Sequence, residues 1–402
     1  MTAQSASPPN QRLLSLDVFR GLTIAGMIVV NDPGDWGAVY APLLHADWHG
    51  LTPTDLVFPF FLFIVGVSIV LAYTKRLGKG DTPQSMHAKI LKRTAVIFGL
   101  GIFLALFPEF DFTDIRIPGV LQRIAIVFLV CSFMFLHGSW RSNAAIGIVF
   151  LVGYWLVLAF VPVPIDEVVR SALATGEVIR AHSTVAVSGL TQMGDSFIAG
   201  NFEPGVNLQA WLDRSIVPGR LYEKAWDPEG LLSTFPSIVT GILGMLAGSV
   251  LVNNKDRYQQ ALLLLVGGFC ALAIGSAWNW IFPFNKNLWS SSFAMYTAGL
   301  ASMTLGVLIW MLDIKGWKSW IYVPQVFGAN AITAYVIHGT IGSLLTIPLS
   351  SDGPTLKGGF MDGLEAIGLD RSFVSLLWAL NYTAIVFLPV WWMYRRKWFV
   401  KL

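Results

Sequence analysis

Apolar runs long enough to cross a bilayer recur along most of this chain, and they leave it few ways to fold. A hydrocarbon core of about 30 Å needs about 20 consecutive apolar residues in an α-helix. Hydropathy places such helices near residues 17–31, 55–74, 91–108, 119–137, 143–163, 231–252, 258–282, 289–312, 322–348 and 372–394. Apolar residues make up 54% of the 402, and charged residues only 13%. Soluble chains carry about a quarter charged residues, so a water-soluble domain could not cover this surface. Lipid offers no partners to backbone N–H and C=O groups, so each run must satisfy its own as a helix. The expected class is an all-α polytopic membrane bundle of about ten transmembrane helices.

Basic residues orient that bundle. Arg12 and Arg20 open the first helix, and Lys75, Arg76, Lys79, Lys89, Lys92 and Arg93 fill the second connection. Arg141, then Lys255 with Arg257, then Lys315 with Lys318, mark the fourth, sixth and eighth. Arg395, Arg396, Lys397 and Lys401 close the chain, whereas the odd-numbered short connections are poor in Lys and Arg. By the positive-inside rule both termini are cytoplasmic. The opening segment, Met1 to Gln11, is too poor in apolar and basic residues to be a secretory signal and reads as a disordered cytoplasmic N-terminus. Residues 12–402 are expected to form a single transmembrane domain with a hydrophilic, non-cytoplasmic insertion at 164–230. The net charge of +3 does not point to nucleic acid. Cys131 and Cys270 each lie in an apolar run, which argues against a disulfide framework or a cysteine metal site.

Ionisable side chains at membrane depth are costly, so those within or at the lip of the helices are functional candidates. Asp17 and Arg20 share a face of the first helix, either as a structural pair or with Arg20 meeting an anionic phosphate. The first outer connection is the densest polar constellation, with Asn31, Asp32, Asp35, His45, Asp47, His49 and Asp55. An imidazole there titrates near neutrality and suits general-base work on an amine or hydroxyl. His45 and His49 have a chelating spacing, but Gly50 and Pro53 interrupt any regular helix through them, so no metal is expected. Arg123, inside the fourth helix, needs a partner, for which Asp55, Glu229 and Asp114 are candidates; it serves either a structural salt bridge or substrate binding. His338 and Asn330 fall mid-helix and either hydrogen-bond across the bundle or line a polar passage, while His87, His137 and His182 read as solvated loop residues. Glycines in GILGMLAG, at 241, 244 and 248, read as close helix packing.

Several pieces of the sequence are long and unusual: LDVFRG, VVND, HADWHGLTPTDLVFPFFLFIVG, GVLQRIA, DPEGLLSTFPSIVTGILG, KNLWSSSFAMYTAGLA and GANAITAYV. In these, and in their order, the chain resembles the heparan-α-glucosaminide N-acetyltransferase family, transmembrane acetyltransferases of lysosomes with bacterial relatives. The resemblance implies a transmembrane acyltransferase domain that moves an acetyl group from cytosolic acetyl-CoA to the amine of a glucosamine-type sugar or glycan across the membrane. It places the active histidine at His45, as base or acetyl acceptor, and a nearby asparagine at Asn31. It makes Asp55, Arg123, Glu229, Lys286, Trp289 and Asn330 substrate-binding candidates, and Asp17 and Arg20 candidates for the CoA phosphates. His49 stands where the lysosomal branch has Asn. The implied setting is a bacterial inner membrane with a periplasmic insertion and lipid contacts, and a homodimer is compatible with it. The competing expectation is a secondary transporter of a small polar solute or sugar, although no internal repeat is visible.

Overall fold

The computed structural model describes residues 13–345, 347 and 355–400; the expected disordered segment 1–11, Arg12 and Lys401 lie outside them. Every one of the ten expected segments carries a helix. In chain order the long helices are α1 Leu14–Asn31, α2 Val57–Leu77, α3 Pro83–Leu106, α4 Val120–His137 and α5 Trp140–Phe160, followed after the insertion by α8 Thr234–Asn253, α9 Arg257–Trp278, α10 Ser291–Leu308 and α14 Arg371–Arg395. Eight helices among the described residues are long and apolar enough to span a bilayer. The protein is an integral membrane protein.

The other two expected spans depart from uniform apolar rods for visible reasons. Helix α3 begins at Pro83, eight residues before its apolar run. Thr82 accepts a hydrogen bond from the Ser85 N–H and Pro83 fills the first turn, so the helix carries Lys89, Lys92 and Arg93 in its first half. The ninth span is broken rather than continuous, into α11 Tyr322–Ala329 and α12 Ala331–Leu345. At the break Asn330 has φ −133° and ψ 45°. Its side chain donates to the Trp398 carbonyl (3.0 Å) and accepts from the Val400 N–H (3.1 Å), clasping the C-terminal tail.

The helices α2 and α8 run together, as do α9 and α10. A Cβ on Gly66 would come within 2.0 Å of the Gly241 carbonyl oxygen, and one on Gly244 within 2.1 Å of the Phe63 oxygen. Backbone therefore meets backbone along this seam, as the glycine spacing implies. Residues 164–230 are folded. They hold α6 Glu167–Thr175, α7 Leu208–Ile216, and five short strands: β1 Val163–Pro164, β2 Glu177–Ile179, β3 Thr184–Ala186, β4 Gln192–Met193 and β5 Phe197–Ile198. The strands pair antiparallel in the order β1-β5-β4, and β2 with β3. A buried apolar cluster including Val163, Val169, Ile198 and Trp226 extends to Tyr154 and Leu158 of α5 and to Trp48 in the first connection. Trp48 also donates its indole N–H to the Phe202 carbonyl (2.7 Å). The insertion is thereby packed onto the same end of the bundle as His45. After α12, α13 Leu356–Glu365 leads into α14.

Candidate active site

Asp55 organises the polar end of the bundle. Thr52 and Asp55 form a capping box on the turn Pro53–Leu56 that leads into α2. One carboxylate oxygen, Oδ2, accepts from the N–H groups of Ala46 (3.1 Å) and Thr52 (3.0 Å) and from the Thr52 hydroxyl (3.1 Å). The other, Oδ1, lies 2.6 Å from Nδ1 of His45. A carboxylate accepts, so Nδ1 carries the proton there and Nε2 keeps its lone pair. Asp55 is 1% exposed while the His45 side chain is 34% exposed: the acid is anchored and the base is open.

Lys286, in the connection between α9 and α10, approaches the same ring. Its Nζ lies 3.0 Å from Nε2 and 3.2 Å from Nδ1 of His45. An atom almost equidistant from both nitrogens cannot lie along either lone pair, so the in-plane approach to Nε2 is left open. Burial holds His45 below the ordinary histidine value, with Asp55 pulling it up and Lys286 pushing it further down. Burial also lowers the Lys286 ammonium from the usual lysine range, opposed by Asp55 and Glu229. The structure thus gathers three of the sequence candidates, His45, Asp55 and Lys286, around one imidazole, with Glu229 within electrostatic reach.

Glu229 is held by a residue that the sequence reading missed. Arg116, in the connection between α3 and α4, donates to both oxygens of Asp227 (2.8 and 2.7 Å) and to Glu229 (2.6 Å). Tyr222 lies under its guanidinium at 4.7 Å. The available signal was an arginine in an outer connection otherwise poor in basic residues. Beside this network lies a cavity of about 770 Å³, lined by residues including Arg116, Gln122, His182, Arg220, Tyr222 and Tyr335. That volume is of the size that takes a small organic ligand.

The remaining candidates lie elsewhere. The candidate partners of Arg123, namely Asp55, Glu229 and Asp114, make no ion pair with it. The buried Arg123 donates to the Gly230 carbonyl (3.0 Å) and the Ser233 hydroxyl (2.5 Å) and lies 5.5 Å over the Trp289 ring. The reason is local: the segment before α8 turns its backbone toward α4, while Glu229 is taken by Arg116 and Asp114 faces Arg220 at 3.7 Å. Trp289 is 1% exposed and donates to Thr240 (3.1 Å), so it is core beneath the site. Asn31 ends α1 with an exposed side chain that has no hydrogen-bond partner among the described residues. Asp17, Arg20 and Asn330 sit toward the opposite end of the bundle. There Arg20 reaches Asp17 (3.1 Å), the Gly328 carbonyl (3.3 Å) and Ser68 (2.8 Å). His87 and His137 are helical rather than in loops, and their Nε2 atoms meet at 2.9 Å. His338, buried in α12, has Nδ1 3.1 Å from Asp32 Oδ2.

Comparison with known proteins bears directly on this arrangement. A family profile described as heparan-alpha-glucosaminide N-acetyltransferase, catalytic, matches residues 12–193, which include His45, Asp55, Arg116 and Arg123. The human heparan-alpha-glucosaminide N-acetyltransferase is 32% identical over 379 residues, covering 83% of this chain and 53% of that protein. The mouse protein of the same name is 30% identical over 368 residues, covering 81% and 53%. The chain belongs to this family. It spans about half the length of the curated relatives it matches. Within the family frame, the profile covers the imidazole and its carboxylate but stops short of Glu229 and Lys286, which the fold brings back to them.

Proposed function

We propose that this protein is a transmembrane acetyltransferase that carries an acetyl group from cytosolic acetyl-CoA to the amine of a glucosamine-type sugar on the side of the insertion. The observation that carries the reading is the Asp55–His45–Lys286 constellation, which Glu229, within electrostatic reach of it, links to Arg116 in the lining of the 770 Å³ cavity. An amine that attacks a thioester must lose a proton while the carbonyl oxygen gains negative charge. With Nδ1–H committed to Asp55, Nε2 of His45 is the base for that proton. The Lys286 Nζ supplies an N–H donor toward the developing charge, and Asn31 is the second donor that the family resemblance implies. An acetyl-imidazole on His45 is the rival course of the same reaction. The polar and aromatic lining of the cavity, with Tyr222, Tyr335, Gln122 and Arg116, suits a hydroxyl-rich ring.

The opposite end of the bundle suits the donor. Arg20 and Ser68 meet there, Arg93 lies over the Phe128 ring at 4.5 Å and within electrostatic reach of Arg20, and guanidinium groups match phosphate oxygens. Arg20, with Asp17 beside it, is the proposed contact for the CoA phosphates. The Lys and Arg excess of the even-numbered connections supports a cytosolic setting for this end. The test is acetyl transfer from labelled acetyl-CoA to glucosamine across proteoliposomes, with labelled product expected in the compartment facing the insertion. Unchanged turnover in His45→Ala removes the mechanism. A transporter reading draws on the broken ninth span, since interrupted helices bind solutes in many carriers. Asn330 at that break is instead committed to the tail backbone, so it offers a solute little.

A further inference from the structure

The position of Lys286 has a consequence for the acetylation chemistry. Its Nζ is a primary amine 3.0 Å from Nε2 of His45, off the lone-pair direction but one side-chain rotation from the in-plane position where a sugar amine must come to give up its proton. The side chain is half-buried and is tethered by a connection that the backbone holds firmly: Asn285 Oδ1 accepts from the Leu288 N–H (2.8 Å) and the Trp289 N–H reaches the Lys286 carbonyl (3.1 Å). An intramolecular amine and a general base therefore meet at one place, with only a side-chain rotation left between them.

We propose that Lys286 is a self-acetylation site, taking the acetyl group from acetyl-CoA when no sugar amine occupies the position at Nε2 of His45. This rests on the acetyltransferase reading above. The Nζ lone pair attacks the thioester carbonyl carbon and its N–H proton passes to Nε2 of His45. The carbon–sulfur bond breaks, and the departing CoA thiolate takes that proton, leaving N-acetyl-lysine and CoA with a free thiol. The lowered ammonium of Lys286 makes the neutral, nucleophilic amine more abundant than on a solvated lysine. Acetyl-Lys286 has no charge, adds bulk beside His45, and blocks further turnover. The site would silence itself when the donor is plentiful and the acceptor absent.

The experiment is peptide mass spectrometry on the full chain in proteoliposomes given isotope-labelled acetyl-CoA. Without sugar, Lys286 should be labelled at least about tenfold faster than the exposed Lys79 and Lys92, as proximity to a base requires. Its rate should climb with pH, and turnover on later addition of glucosamine should fall in step with the label. Saturating glucosamine should suppress Lys286 labelling and leave Lys79 and Lys92 unchanged. His45→Gln should slow labelling of Lys286 alone. Labelling of Lys286 no faster than Lys79 and Lys92 in vesicles that do acetylate glucosamine overturns this proposal and leaves the acetyltransferase reading standing. Labelling that glucosamine does not suppress also overturns it, with no variant needed. If neither Lys286 nor glucosamine takes label, both readings fall together.

Discussion

Among the described residues two histidine–carboxylate pairs occur at the same end of this bundle, and they are built in opposite senses. In His45–Asp55 the acid is 1% exposed and the ring 34%; in His338–Asp32 the ring is 10% exposed and the acid 28%. Asp55 is fixed by two backbone N–H groups and a hydroxyl. No backbone N–H donates to Asp32 among the described residues, and its carboxylate approaches Nδ1 of His338 outside hydrogen-bonding geometry. The His338 ring is walled by Tyr335 and Tyr382, with centroids 6.1 and 5.6 Å away. An anchored acid with an open ring can direct proton transfer. A walled ring with a looser acid, packed where α1, α12 and α14 meet, leaves little room for a substrate to reach the imidazole. Proximity of imidazole to carboxylate is common to both, so it does not define a catalytic pair; the side that faces substrate does.

The sharpest way to break this comparison is to remove each ring. His45→Ala should lower acetyl transfer by about 10²–10⁴-fold, the usual worth of a general base, whereas His338→Ala should keep turnover and lower the thermal midpoint. A folded His338→Ala protein with turnover as low as that of His45→Ala would erase the distinction. Exchanging the acids comes next. Asp55→Asn frees the tautomer that the carboxylate fixes and should cost about 10²-fold in kcat with the protein still folded, while Asp32→Asn should leave kcat near that of the unmodified chain.

A smaller effect sharpens the electrostatics. On the proposed mechanism His45 is the base when neutral, and burial depresses its pKa, so the acid limb of the rate profile should fall below the ordinary imidazole range. Lys286→Met removes a neighbouring positive charge, which favours the imidazolium and raises that pKa. The acid limb should therefore move to higher pH, and a limb that stays put would exclude Lys286 from the field at the ring. The smallest effect concerns Asp32, whose pKa burial raises from 3.8 to about 6, with Lys357 opposing. An acid raised by folding stabilises the fold below its unfolded value and loses that contribution as pH rises through the folded value. The thermal midpoint should decline between pH 3.8 and about 6, and Asp32→Asn should flatten the curve over that window.

The spans were legible because a bilayer demands one continuous apolar run per crossing, and that demand is written locally. The kink at Asn330 was not, since it is fixed by a tail 68 residues further along the chain. Position 45 stood out by the density of polar residues around it and by family resemblance. The acid that aims its ring carried a local signal of its own, the Thr52–Asp55 spacing ahead of an apolar helix. The partners of Arg123 and the role of Arg116 could not be read, because both depend on how the segment from Asp227 to Ser233 folds back over α4. Charge says that a buried arginine must be satisfied; only the tertiary turn says by what.

The capping box at Asp55 joins two tasks that most proteins keep apart. One carboxylate both caps the turn that leads into α2 and sets which way an imidazole faces, so two demands on geometry meet in a single side chain. A glutamate at this position could still close the cap, but its longer side chain would present the second oxygen elsewhere, giving a sound helix and an idle ring. Drift at this position is therefore closed in both directions, toward neutral residues by the ring and toward the longer acid by geometry.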